Sequence, residues 1–350
     1  MKKILLFLLI FRLNFFPLYA VFDVETDWSN EESVLEALKY DAISLFGYMT
    51  HLQYVSEELK NKRSLVLIAV SYNGDNLQYA PKHFWKDREV ILKAVEEKPY
   101  AMQCPASDPY TNLKRDSKVI KYADKSLLRS RKFIAEALSK NGFVIQYIDE
   151  KFKEDKELVM IAAKQNGYIL NFVDPKFLKD RDVVMAAVSS DTTILEKVPT
   201  YMKADKELML IAVKNNGYVI QYATKKLQND DDIITTAVLD CYGSALELAP
   251  SSYKDNKGFV IKAIIGKNNK HKSYGTAFRY ASKRLRNNRE VAELAMSKDS
   301  DNFEFVSERL RDDKAFVLRS FELGLWSRYI KFISERLKKD KEIIHLMKKD

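Results

Sequence analysis

Four stretches decide the fold: IQYIDEKFKEDKELVMIAAKQNG at residues 145–167, LNFVDPKFLKDRDVVMAAVSSDT at 170–192, LEKVPTYMKADKELMLIAVKNNG at 195–217 and IQYATKKLQNDDDIITTAV at 220–238. Each begins 25 residues after the one before. A unit this short cannot bury its apolar face alone, but stacked copies can. A fixed period in this range therefore predicts an all-α helical-repeat solenoid in which each unit packs on its neighbours.

Working outward, eleven units begin at Leu52, Leu77, Ile120, Ile145, Leu170, Leu195, Ile220, Leu246, Phe278, Phe303 and Ile330. Apolar residues recur at the first position, three residues later and four beyond that, as in Ile145, Ile148 and Phe152. This spacing predicts one helical face. A small polar residue or proline between them (Ser56, Pro81, Asp124, Asp149, Asp174, Pro199) predicts a break, so the first half reads as a short helix followed by a second short turn.

The second half reads as a clearer helix. Asp87, Asp155, Asp180, Asp205, Asp230 and Asp340 precede it and are expected to cap it. Paired apolar residues follow, then an alanine column: Ala69, Ala94, Ala137, Ala162, Ala187, Ala212, Ala237, Ala263 and Ala295. A small residue recurring there implies close helix approach. The pairs Asn73-Gly74, Asn141-Gly142, Asn166-Gly167 and Asn216-Gly217 predict helix ends with the glycine in the left-handed conformation.

The consensus L-x-Y-A-S-x-x-L-K-x-D-K-E-V-V-x-x-A-V-x-x-N-G is similar to the tandem repeats called domain of unknown function 4116. The resemblance runs from about Leu52 to Asp350 and is strongest from Ile145 to Ala237. It implies the fold and carries over no activity and no catalytic residue.

Three irregularities break the array. The second and third units start 43 residues apart (77 to 120), which places a loop insert near 99–118. The eighth and ninth start 32 apart (246 to 278), with an insert near 266–277 that carries Lys267, Lys270 and Lys272. The junctions at both inserts are expected to open first. At the front, Ser29-Asn30-Glu31-Glu32 reads as a capping box that opens a helix near 30–40, so residues 21–51 are expected to cap the array and 52–350 to form it.

The first twenty residues read differently. Met1-Lys2-Lys3 is basic, Ile4 to Phe11 is apolar, and Leu18-Tyr19-Ala20 ends the stretch, so residues 1–20 read as a secretory signal cleaved after Ala20. An exported protein, periplasmic or secreted, is the expectation. Eight apolar residues are too few to span a bilayer, which takes about 20. Losing Lys2, Lys3 and Arg12 takes the formal charge from +9 to +6. The 58 basic and 49 acidic residues are interleaved, unlike the concentrated basic stripe of a dedicated nucleic-acid binder. Cys104 and Cys241 are about five units apart and are expected to stay unpaired.

No catalytic, cofactor-binding or metal site emerges. His51, His83, His271 and His345 fall at unrelated repeat positions, and no nucleophile elbow, phosphate loop or zinc motif is present. The recurring aspartates start helices in different units, which makes them caps. A non-catalytic scaffold that binds a protein or peptide is the expected function. The candidate partner-facing ridge is the second position of each unit, in particular Gln53, Gln78, Gln146, Asn171, Gln221 and Arg279, with the Lys267, Lys270 and Lys272 insert as a second candidate.

The alternative is a nucleic-acid-binding repeat protein. One polar residue followed by one aromatic per unit (Gln146-Tyr147, Asn171-Phe172, Gln221-Tyr222) resembles modules that read one base per repeat. Against it, a constant aromatic column is more often inter-unit core, and Glu196, Glu247 and Glu304 share the polar column. A structural role without a partner comes next.

Overall fold

The computed structural model describes residues 26–43, 51–96, 118–240, 243–266, 276–325 and 327–347, all of whose regular elements are helical. The signal segment 1–20, Lys267, Lys270, Lys272, Cys104, Cys241 and almost all of both inserts lie outside the described residues. The chain is an all-α repeat solenoid divided into two compact units, Met1–Gln165 and Asn166–Asp350.

The N-terminal unit holds the long helices α1 (Glu31–Ile43), α2 (Arg63–Tyr72), α3 (Arg88–Val95), α4 (Arg131–Lys140) and α5 (Lys156–Gln165), each packed on the next. The C-terminal unit holds α6 (Arg181–Ser190), α7 (Lys206–Asn215), α8 (Asp231–Asp240), α9 (Lys257–Ile265), α10 (Arg289–Lys298), α11 (Lys314–Glu322) and α12 (Lys341–Met347). No helix among the described residues is long and apolar enough to cross a membrane.

Before each long helix from α2 onward the chain makes two short pieces. In the fourth repeat these are a 3-10 helix, Gly142–Tyr147, and a single turn, Glu150–Lys153. Ile145, Ile148 and Phe152 are all buried, but they do not share one helix. Ile148 and Asp149 are extended, with ψ of 166° and 143°, because an acid or proline at this point favours starting a new turn over continuing the old one. The long helix then buries its inward stripe, Leu158, Val159, Ala162 and Ala163.

The glycine expectation is overturned. Among the described residues the left-handed glycines are Gly243, Gly266 and Gly324, so Gly74, Gly142, Gly167 and Gly217 are not helix stops. Each instead opens the following 3-10 helix, and the asparagine before it is that helix's cap: Asn141 Oδ1 accepts from Phe143 N at 3.0 Å, and Asn216 Oδ1 from Tyr218 N at 3.1 Å. Glycine is needed for space. A Cβ on Gly142 would sit 2.6 Å from the carbonyl oxygen of Ala162 in the next helix, and Gly74, Gly167 and Gly217 face Ala94, Ala187 and Ala237 in the same way. The glycine and alanine columns are two sides of one contact.

The capping aspartates behave as expected and do more. Asp155 Oδ1 accepts from Glu157 N and Leu158 N, while its other oxygen takes Arg131 Nε at 2.7 Å. The first residue of one long helix thus pairs with the cap of the next and with the acid two residues on. Arg63 with Asp87 and Glu89, Arg181 with Asp205 and Glu207, Lys206 with Asp230 and Asp232, and Lys314 with Asp340 and Glu342 repeat the rung. The arginine beside each cap holds the carboxyls of Asp87, Asp155 and Asp205 below the usual range. At the front, the cap of α1 is Asn30, whose Oδ1 accepts from Ser33 N, whereas the Ser29 hydroxyl turns to Asp27. The expected capping box is replaced by that simpler cap.

Candidate interaction surface

The first and fourth positions of most repeats are buried, as Ile145 in the 3-10 helix and Ile148 just past its end are. The second position is left at the side. The geometry leaves Gln53, Gln78, Gln221 and Arg279 exposed, but Gln146 and Asn171 only partly so. Gln146 Nε2 is buried without a hydrogen-bond partner. Asn171 donates to Tyr168 O at 2.8 Å and accepts from Lys197 Nζ. The six residues share one repeat position without sharing one chemistry.

The polar and aromatic columns, separate in the sequence, interlock between repeats. The second position of one repeat touches the third position of the next. Lys121 lies over the Tyr147 ring at 4.6 Å, Lys197 reaches Asn171, the Tyr222 hydroxyl donates to Glu196 at 2.8 Å, and Arg279 covers Phe305 at 5.1 Å. Tyr280 bonds Glu247 in the same register. The bond to Glu196 raises the Tyr222 pKa, and burial followed by the Glu247 bond raises that of Tyr280. The aromatic rings are mostly half-buried, as core-edge residues are.

A further tie was not visible in the sequence pattern. The main-chain carbonyl of the second position is capped by a side chain seven residues later: Lys60 on Gln53, Gln228 on Gln221, Lys254 on Glu247 and Lys338 on Lys331. Its signal is a long polar residue at that offset, too common a type to stand out. In the last repeats Ser282, Ser307 and Ser334, each followed two residues on by an arginine, bond Asp255, Asn287 and Asp312 of the preceding repeat. In the C-terminal unit two repeats lack the aromatic residue: Lys197 holds its place in the sixth and still reaches Asn171, whereas Leu248 in the eighth has no polar group to offer. Leu248 takes the aromatic position and is 37% exposed, and Tyr218 is 40% exposed.

The described histidines serve packing or face solvent. His51 is buried and stacks on Trp28 with ring centroids 5.5 Å apart, His83 tilts against Phe84, and His345 is exposed. A shallow hollow of about 380 Å³ among Arg88, Leu92, Lys93, Glu96 and Lys140 holds charges that neutralise one another. Lys93 and Lys140 both reach Glu96, whose pKa they lower, and Arg88 reaches Glu136. Among the described residues no group of three His, Cys, Asp or Glu side chains is arranged to hold a metal.

No curated protein and no solved structure matches the chain. The family model described as Domain of unknown function (DUF4116) matches eight times in tandem, at residues 30–85, 62–104, 111–153, 130–178, 155–203, 205–241, 272–311 and 288–327. With most of its length taken up by these overlapping matches, and with the repeat geometry described above, the chain belongs to the DUF4116 family.

Proposed function

We propose that the protein is a non-catalytic scaffold, exported through residues 1–20, that holds a protein or peptide partner against its stacked repeats. One observation carries this reading. The recurring capping aspartates and their cationic partners are engaged in caps and rungs, while the second position carries an exposed polar or charged side chain in most repeats, though several of these also touch the neighbouring repeat. Stacked repeats that offer a variable side chain in most layers suit recognition of an extended surface. General acid–base chemistry has little to draw on, because the titratable groups with shifted pKa values are held in caps, ion pairs or hydrogen bonds, such as Asp155 with Arg131 and Tyr222 with Glu196.

Base reading fits this surface less well. It needs open ring faces, whereas Tyr147, Phe305 and Phe332 are covered by Lys121, Arg279 and Arg311 of the same chain. The exposed Glu196, Glu247 and Glu304 in the same column repel phosphate.

The test is an affinity capture with residues 21–350, chemical cross-linking and mass spectrometry. The reading requires a partner protein cross-linked beside second-position residues. Capture of nucleic acid alone, removed by nuclease, overturns it. A reporter fused after residue 20 and retained in the cytoplasm rejects export.

A further inference from the structure

We propose that the seam between the seventh repeat (from Ile220) and the eighth (from Leu246) is a hinge, the place where the C-terminal unit flexes. Three kinds of lateral tie recur between repeats of this unit, and this seam lacks all three. The first is the charged rung. Helices α6 and α7 begin with Arg181 and Lys206, but α8 begins with Asp231, and the positions that should face it hold Asn256 and Gly258 in place of two acids. The second is the interlock of second and third positions. Gln221 meets Leu248, which has neither a ring nor a hydroxyl to offer. The third is a main-chain bond. The N–H of Thr224, Ser282, Ser307 or Ser334 donates to a carbonyl of the preceding repeat at 3.3, 2.8, 3.2 or 3.3 Å, but Pro250 occupies that place here and has no N–H.

The seams on either side are tied. Between the sixth and seventh repeats run Lys206 to Asp230 at 2.9 Å, Tyr222 to Glu196 at 2.8 Å and Thr224 N to Lys203 O. Between the eighth and ninth run Lys257 to Glu290, Tyr280 to Glu247, Ser282 N to Lys254 O and Arg284 to Asp255 at 3.0 Å. The weak seam therefore stands one repeat before the 266–277 insert, not at it as the sequence led us to expect. What holds the hinge is chiefly apolar packing, together with a polar contact from the Tyr253 hydroxyl to Asp231. Apolar contact is non-directional, so it fixes the relative orientation of two repeats less sharply than hydrogen-bonded and charged ties do. Tied blocks joined by a seam of this kind flex at one place, by small sliding of packed helices. Exposed Tyr218 and Leu248 lie in the segments that meet there.

The test is a pair of spin-label distance measurements on the full chain with Cys104→Ser and Cys241→Ser. Labels at Thr200→Cys and Ser251→Cys span the hinge, and labels at Ser251→Cys and Glu308→Cys span two tied seams. The first pair is expected to give a distance distribution about twofold broader than the second. Asp231→Lys with Asn256→Asp, Gly258→Glu and Pro250→Ser rebuilds two ties and should narrow it. Equal widths, or no narrowing on rebuilding, overturn the proposal. Should the labelled chains fail to fold, hydrogen exchange on the unaltered chain decides. Exchange about tenfold faster in Asp231–Asp240 and Lys257–Ile265 than in Lys206–Asn215 and Arg289–Lys298 supports the hinge, and equal exchange rejects it.

Discussion

Gly142 lies so close to the carbonyl of Ala162 that a methyl group on it would sit 2.6 Å from the oxygen, inside any van der Waals contact. Both partners are backbone, so neither can swing aside. The contact sets how near one repeat comes to the next.

Gly142→Ala should therefore destabilise the N-terminal unit by about 1–3 kcal/mol, the usual cost of overpacking. Gly258→Ala is the control. It lies in the first turn of α9 with nothing closer than 3.6 Å to the added Cβ, and there alanine should stabilise by about 0.5–1 kcal/mol. Thermal unfolding of the two variants followed by circular dichroism checks the opposite signs. A loss in both would mean that the glycines matter through conformational freedom and not through space.

The rungs make stability depend on acid. Asp155 ionises below its ordinary 3.8 because of Arg131, so the folded state holds the charged form more tightly than the unfolded state does. A lowered carboxyl pKa contributes stability that is fully present above about pH 4 and is lost as pH falls through the folded value. Asp155→Asn keeps a good cap but loses the charge, so it should be less stable than the parent at pH 7, with the gap narrowing as pH falls below the ordinary carboxylate range. Asp155→Ala loses the cap too and should cost about 1 kcal/mol more at every pH. Urea unfolding from pH 2 to 7 measures both. A constant gap between parent and Asp155→Asn across that range would show that the rung contributes nothing.

How much of this could be read from the sequence differs from feature to feature. The repeat, the buried columns and the aspartate caps were legible because each depends on local spacing: Asp155 precedes Glu157 and Leu158 in the chain and bonds their N–H groups in the fold. The fate of Asn141-Gly142 was not, because the glycine's need for space comes from Ala162 in the next repeat. The second position of the repeat was legible as a polar column, yet whether Asn171 is free or bonded depends on Lys197, and no pattern within one repeat contains that information. Lateral ties join residues about one repeat apart, and they become visible only once the stacking register is fixed.

Asn76 shows the same limit inside the core. Its place in the repeat is held by Val144, Ile169, Ile194 and Val219 in other repeats and by a second buried asparagine, Asn302, in the tenth, so against the apolar majority it looks like a misplaced polar residue. It is 1% exposed, accepts from Leu52 N at 3.0 Å and donates to Ala69 O and Asn73 O at 3.1 Å each. Asn76→Val restores the pattern but strands the Leu52 N–H. It should cost about 1–3 kcal/mol by denaturant unfolding, where a core-filling view expects a gain.

Tyr253 carries the alkaline counterpart of the acid argument. Burial, and then its bond to Asp231, push its pKa from 10 up to about 12. A tyrosine is charged when deprotonated, so a raised folded pKa means that the fold favours the neutral form. The resulting stability is fully present below pH 10 and is lost as pH rises through about 12. Absorbance titration of phenolate should show a late-ionising group that is absent from Tyr253→Phe. Because Tyr253 supplies a polar contact across the seam described above, the parent's advantage over that variant should shrink between pH 10 and 12. If the difference spectrum places Tyr253 near 10, its hydroxyl is open to water and the contact with Asp231 is not made in solution.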